Sequence, residues 1–423
     1  MLKSSPELHV PSNQFRQPIS FFEEKPVFSV GFAKRSITPD LSKGGVWLAG
    51  FFPSRTGWLI HDELFAKCLV IRGKNNVSVG IVSTDLLGFL PSDIQEIEKR
   101  VSGFFHGKLL VHTTHTHSAP DVMGLWGFNL FGLPLFSGRE EEYVHFVKNQ
   151  IAACVKEADE KKEPAVIAFG ETRLEGVARI RAGAEIDDML SVMHVRLENR
   201  SLFLVNFAVH PNLLYSSYIT ADLLQYTYDY IEKETGGEVL YVNGAIGAVH
   251  PQQSGNIRNR WGRAKELGTM IGRATLEATQ SAKISTSDSL FFKTALIRTP
   301  LKNKQFIKAM RWGLMRDERQ PDGTMVVEVN YVIIGDGGIL TYSGEVFPNI
   351  ALALKKNVLQ QYKFTFGLTN GGIGYILTSE DFHSGRYRYH TRVSVSPVIG
   401  DQIFDAITEM LASPDTAPES APK

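Results

Sequence analysis

Runs of β-branched and aromatic residues recur along the chain. Between them lie segments whose apolar positions fall at helical spacing. SVGIVSTDLL, starting at Ser78, has the composition of a strand. SDIQEIEKRV follows, with Ser92 or Asp93 placed to cap a helix. KLLVHTTHTH, starting at Lys108, reads as the next strand. The same order recurs in SLFLVNFAVH (ending at His210), ADLLQYTYDYIEK and EVLYVNGAIGAVHP (reaching His250). It recurs again in GGILTYSGEVF, NIALALKKNV and KFTFGLTNGGIGYIL. The pattern predicts an α/β fold of mixed β-sheets flanked by helices. The first and last units superpose at an offset of 260, with Asp85 on Glu345 and His115 on Tyr375. They are read as a suspected internal duplication of βαβ-like units.

The ends lack this patterning. Residues 1–27 are polar and are expected to form an N-terminal arm, and 412–423, rich in Pro, Ser and Ala, a disordered tail. No low-complexity linker interrupts the rest, so 28–411 is expected to be one large domain. The chain has 423 residues, 43% apolar and 21% charged, an ordinary globular composition with ample material for a core. Its 45 basic and 45 acidic residues cancel, and no basic run suggests nucleic acid as a partner. No stretch of about 18 apolar residues predicts a membrane-spanning helix. MLKSSPELHVPSNQFRQ lacks the apolar centre of a secretory signal, which leaves a cytoplasmic location and secretion after processing both open. Cys68 and Cys154 sit in apolar settings and are expected to be buried free thiols. The oligomeric state is left open.

The candidate chemistry gathers at strand ends. VHTTHTHSAPDVMGLWG holds three of the twelve histidines, at 112, 115 and 117. Strand alternation would turn His115 and His117 toward one cavity and His112 away. His115, His210, Glu345 and Tyr375 all fall toward the carboxyl ends of strands, where open α/β sheets place their sites. Two imidazoles and a carboxylate are a common zinc set. A metal-free acid/base site and unrelated histidines are the other readings of the same residues. Arg179 and Arg181 in VARIRAG are either a solvated pair or a clamp for an oxyanion. GLWGFNLFGLPLF, residues 124–136, is either a buried loop, an apolar substrate entrance or a lip that touches a membrane.

Several segments together resemble the neutral/alkaline ceramidases, zinc amidases that cleave the N-acyl bond of ceramide. THTHSAP resembles their T-H-T-H-S-G-P motif, and VGFAKRSITP their opening strand. NFAVHPN, YSGEVFP and GLTNGGIGYILTSEDFHSGRY resemble three further segments, in order, between about residues 29 and 390. The resemblance implies zinc ligands at His115, His210, Glu345 and Tyr375. It also implies His117 and Tyr387 beside the reacting amide and Arg181 as a substrate contact. Two departures stand out. His250, in GAIGAVHPQ, replaces the family's serine, and Ala119 replaces a glycine. The family's C-terminal β-sandwich domain is expected to have no counterpart in these 423 residues. The expected activity is zinc-dependent hydrolysis of an amide bond in an N-acyl, lipid-like substrate. His117 or His250 would shuttle the proton, and Tyr387 and Arg181 would stabilise the oxyanion. A zinc esterase or phosphatase using the same ligands, and a non-catalytic lipid-binding protein, are the alternatives.

Overall fold

In the computed structural model of the protein the described residues are 26–131, 133–180, 185–252 and 259–413. The expected arm and tail fall almost entirely outside the described residues, and Arg181 falls outside them as well.

Alternating apolar residues build a central sheet. Its strands are β1 (Phe28–Ser36), β2 (Phe65–Gly73), β3 (Ser78–Thr84), β4 (Lys108–Thr113), β5 (Glu163–Arg173), β6 (Met189–Arg196), β7 (Ser201–Phe207) and β8 (Glu238–Asn243). They are ordered β8-β7-β6-β5-β1-β2-β3-β4. The pairs β3–β4 and β7–β8 are parallel, and the other neighbours are antiparallel. A second sheet follows in chain order: β9 (Leu290–Pro300), β10 (Thr324–Ile334), β11 (Gly337–Tyr342) and β12 (Tyr362–Phe366). Within it only β11–β12 is parallel.

The two sheets share one apolar layer. Val30 and Phe32 of β1, Val79 and Ile81 of β3, and Ile167 and Phe169 of β5 pack with Val332, Ile339 and Phe364 of the second sheet. Each such side chain contributes roughly 1.5–3 kcal/mol by leaving water. The opposite face of the central sheet is covered by helices α1 (Pro91–Val101), α2 (Glu141–Glu160), α3 (Leu223–Thr235) and α4 (Arg260–Gln280). On α2, Val144, Val147, Ile151, Val155 and Ala158 are buried at spacings of three and four, the stripe a sheet-covering helix requires. The contact is close. A Cβ at Gly31 of β1 would lie 1.9 Å from the Ala158 carbonyl oxygen, so only glycine lets α2 seat. Helices α5 (Pro348–Lys355) and α6 (Ile399–Ala412) pack against the second sheet.

The mixed-sheet α/β architecture expected from the patterning is therefore present. The units β3–α1–β4, β7–α3–β8 and β11–α5–β12 each join parallel neighbours through a helix. The first and last share this connectivity, although α5 has 8 residues where α1 has 11. No helix among the described residues is long and apolar enough to cross a membrane.

His112 ties the three units together. It is fully buried on β4, as its inward turn from the other histidines requires. Its Nδ1–H donates to the Gly367 carbonyl beyond β12 (2.7 Å), and its Nε2 accepts from the Asn243 N–H at the end of β8 (3.0 Å). Burial lowers its pKa to about 3, against a smaller opposing effect of the Gly367 bond, so the ring is neutral. His112→Leu leaves the Asn243 N–H unpaired in the core, while the Gly367 carbonyl keeps the Thr369 hydroxyl as a donor, and should destabilise the protein by about 1–3 kcal/mol in urea unfolding at neutral pH. The unfolded chain protonates this histidine below about pH 6.5. The folded chain does so only near 3. The unfolded state thus binds more protons in between, and stability falls as pH drops through that window. The leucine variant should show a shallower acid-side slope; an identical slope would exclude His112 as its source.

Candidate active site

The chain leaves β4 at Thr113, so His115 and His117 lie in the loop beyond it and not on a continuing strand. They still meet, with ring centroids 5.1 Å apart. The cause is a left-handed backbone at His115 (φ 67°), uncommon for a residue with a Cβ. Two bonds hold it there. Its N–H donates to the Leu86 carbonyl (2.8 Å) and its Nδ1–H to the Leu87 carbonyl (2.7 Å). His210 follows β7, and its Nδ1–H donates to the Val249 carbonyl (2.5 Å). Glu345 follows β11 and lies directly opposite Tyr375 in a short parallel pair, Glu345–Val346 with Tyr375–Ile376. The Tyr375 hydroxyl donates to the Glu345 carboxylate.

These bonds fix what faces inward. With Nδ1 taken by the backbone, the Nε2 atoms of His115 and His210 face inward. His210 Nε2 lies 2.9 Å from Glu345 Oε2, and His115 Nε2 lies 3.6 Å from Glu345 Oε1. Acceptors so close in a buried space repel unless a proton or a metal ion lies between them. Burial, outweighing the attraction of Glu345, lowers the His115 pKa to about 4 and keeps that nitrogen unprotonated at neutral pH. Burial raises the Glu345 pKa, but His115 and His210, with the Tyr375 bond, outweigh it and hold the carboxylate below its ordinary range. The donor set of two imidazoles and an ionised carboxylate fits a zinc ion, and each imidazole has the carbonyl-anchored Nδ1–H common to histidine ligands.

His117 is built differently. Its ring nitrogens lie within the same cluster, all three histidines offering atoms within 4.8 Å of one another. Its Nδ1, however, accepts from the Phe51 N–H (3.3 Å), which leaves the proton on Nε2. That Nε2–H is buried with no partner among the described residues. A Cβ at Gly50 (φ 74°) would sit 2.4 Å from the His117 ring, so the backbone beneath it must be glycine. Burial, then the repulsion that His115, His210, Arg55 and His250 exert in their charged forms, pushes the His117 pKa well down.

The remaining candidates lie around this centre. The His250 ring stacks on His210 at 5.3 Å. His250 pairs with Arg179 across the short strands Ala178–Ile180 and Val249–Pro251, and Arg179 Nε donates to the Pro251 carbonyl (3.3 Å). Tyr387 is buried edge-on against Phe347 (4.9 Å), in a small cluster that includes Tyr375. Tyr389, 62% exposed, lines the cavity above the histidines. This cavity of about 70 Å³ has His115, His117, Glu345 and Tyr375 at its base and Met123, Leu125, Trp126 and Phe306 in its wall. Asp121 shapes the wall by accepting the N–H groups of Met123, Gly124 and Trp126 at 2.7–2.9 Å. Residues 124–136 are thus not a buried loop. Trp126 enters the cavity wall, while Phe131 is 97% exposed.

Sequence reasoning missed Arg55. Its buried guanidinium donates to the carbonyls of Ala49, Ser216 and His117 and lies over the Phe51 ring, so it braces the loop that carries His117. No motif surrounds it, and its role exists only once distant loops have met.

No protein-family model matches this sequence, and no curated protein is similar to it. Solved structures share its architecture. Neutral ceramidase from Pseudomonas aeruginosa superposes with a TM-score of 0.77 over 95% of this chain and 77% of its own, at 16% identity. The chain has the neutral ceramidase fold. A ceramidase complexed with C2 matches with the same TM-score and identity over 95% of this chain and 78% of its own. The expected likeness to the ceramidases is thus present at the level of the fold.

The hydrogen-bond partners predict ring tautomers. In metal-free protein at neutral pH, nitrogen-15 spectra should show His115 as the Nδ1–H form and His117 as the Nε2–H form. Finding His117 protonated at Nδ1 would contradict the bond from Phe51.

Proposed function

We propose that the chain is a zinc-dependent hydrolase of a carbon–nitrogen amide bond in an N-acyl, lipid-like substrate. The observation that carries this reading is the convergence of the Nε2 atoms of His115 and His210 on the Glu345 carboxylate, with both Nδ1 atoms bonded to backbone carbonyls. The shared fold with neutral ceramidases supports the substrate class. His115, His210, Glu345 and Tyr375 would hold the ion. Bound there, zinc would lower the pKa of a water molecule and polarise the scissile carbonyl.

The other residues divide the remaining work. Neutral His117 offers its unpartnered Nε2–H as a donor to the carbonyl oxygen as negative charge develops on it. His250, stacked on His210, carries a proton toward the leaving amine. Since position 250 holds no serine, no acyl-serine intermediate is proposed. Tyr387 stays a protonated phenol, because burial, then Asp381, raises its pKa. It packs on Phe347 and His390, rings that Tyr375 also contacts, and is assigned, with Arg181, to the oxyanion on the strength of the resemblance. Met123, Leu125, Trp126 and Phe306 supply an apolar wall suited to an acyl chain.

Metal analysis and an assay panel test this reading. Protein purified without chelator should carry one zinc per chain and hydrolyse N-acyl amides in preference to esters and phosphate esters. A folded protein without zinc, or one active only on phosphate esters, would overturn it. His115→Ala, His210→Ala and Glu345→Ala should each lose the metal, whereas His117→Ala should keep it. Tyr375→Phe should retain most of the zinc but turn over slowly. His250→Ala should lower kcat by roughly a hundredfold with zinc content unchanged. Zinc loss from His117→Ala with retention in Glu345→Ala would instead identify a three-histidine site.

A further inference from the structure

We infer that the face around the cavity mouth docks on a lipid bilayer carrying anionic headgroups; this extends the proposed lipid-like substrate. Three segments meet at the mouth. The first is a hairpin of Asn129–Leu130 paired with Leu133–Pro134, from which Leu130, Phe131, Leu133, Leu135 and Phe136 project into solvent. Ser54 anchors its base by accepting from the Asn129 N–H (2.7 Å), and exposed Phe52 extends the apolar surface. The second is the helix Lys304–Arg311, whose Phe306 forms part of the cavity wall. Trp312 follows it, half exposed, with Lys308 Nζ 4.1 Å above its ring. The two segments touch where Ser137 Oγ donates to the Leu314 carbonyl (2.6 Å). The third is the stretch carrying Tyr389 on the cavity rim.

Charge arrangement identifies the partner. Residues 124–136, 302–313 and 386–393 contain seven lysines and arginines and no aspartate or glutamate, in a chain whose 45 basic and 45 acidic residues balance as a whole. All seven are exposed. Arg386 pairs with Asp381 at 3.6 Å, and no ion pair among the described residues engages the other six. Apolar side chains projecting outward beside aromatic and cationic ones match the interface of a bilayer, where rings enter the headgroup layer and cations meet lipid phosphates. A second copy of the chain is disfavoured, because a two-fold contact would set these cations against each other. Docked this way, the cavity opens onto the membrane, and a lipid substrate reaches the site without crossing water.

Vesicle flotation with the full chain tests the inference. Binding to phosphatidylcholine vesicles containing one-third phosphatidylserine should exceed binding to pure phosphatidylcholine by at least about tenfold and should weaken in high salt. Phe131→Ser with Leu133→Ser should reduce it severalfold. Lys304→Glu with Lys308→Glu should nearly abolish it, at about fivefold or more per charge. Melting temperature and hydrolysis of a water-soluble short-chain N-acyl amide, followed in parallel, should be unchanged in both variants. Amide hydrolysis without vesicle binding would overturn the inference and leave the proposed activity standing. Vesicle binding without hydrolysis would do the reverse. Equal binding by native protein and both variants, or a dimer that these substitutions dissociate, would also overturn it.

Discussion

Two imidazole nitrogens and a carboxylate are directed at one buried point, and so close an approach requires a proton or a cation between them. Everything around the site enforces that convergence. Carbonyls of Leu87 and Val249 take the Nδ1 protons of His115 and His210, so neither ring can turn its proton inward. Tyr375 fixes the carboxylate from the adjoining strand. The arrangement persists because the strands beneath it are buried on both faces and tied at their ends by His112, which cannot shift without breaking bonds to two other units.

Much of this was legible in the chain. Alternation and helical spacing marked all three strand–helix–strand units, and the strand-end position of His115, His210, Glu345 and Tyr375 was enough to group them. What the pattern missed was local backbone geometry. β4 was read through to His117, whereas it ends at Thr113 and the histidines meet through a left-handed turn at His115. No propensity marks such a turn at histidine; contacts with Leu86 and Leu87 impose it. Ring protonation was likewise invisible, because the partner that sets His117 apart, Phe51, lies 66 residues away. Arg55 was missed for the same reason.

The loop after the histidines illustrates the opposite case. Its composition signalled an unusual apolar segment, but composition alone cannot separate a wall from a lip. The structure divides the segment at Gly127. Trp126 turns inward with the loop that Asp121 organises, and the hairpin beyond it turns outward. One stretch of chain thus joins the wall of the cavity to the exposed surface.

Each proposed ligand is anchored within its own unit. His115, beyond β4, is held by the loop leaving β3; His210, beyond β7, by the loop leaving β8; and Glu345, beyond β11, by the segment beyond β12. The centre is therefore modular. Three prefabricated corners carry one donor each, and docking of the sheets only sets their spacing. A chain opened between these units and rejoined at another point would still contain every donor beside its brace, so the order of the units along the polypeptide is separable from the geometry they create.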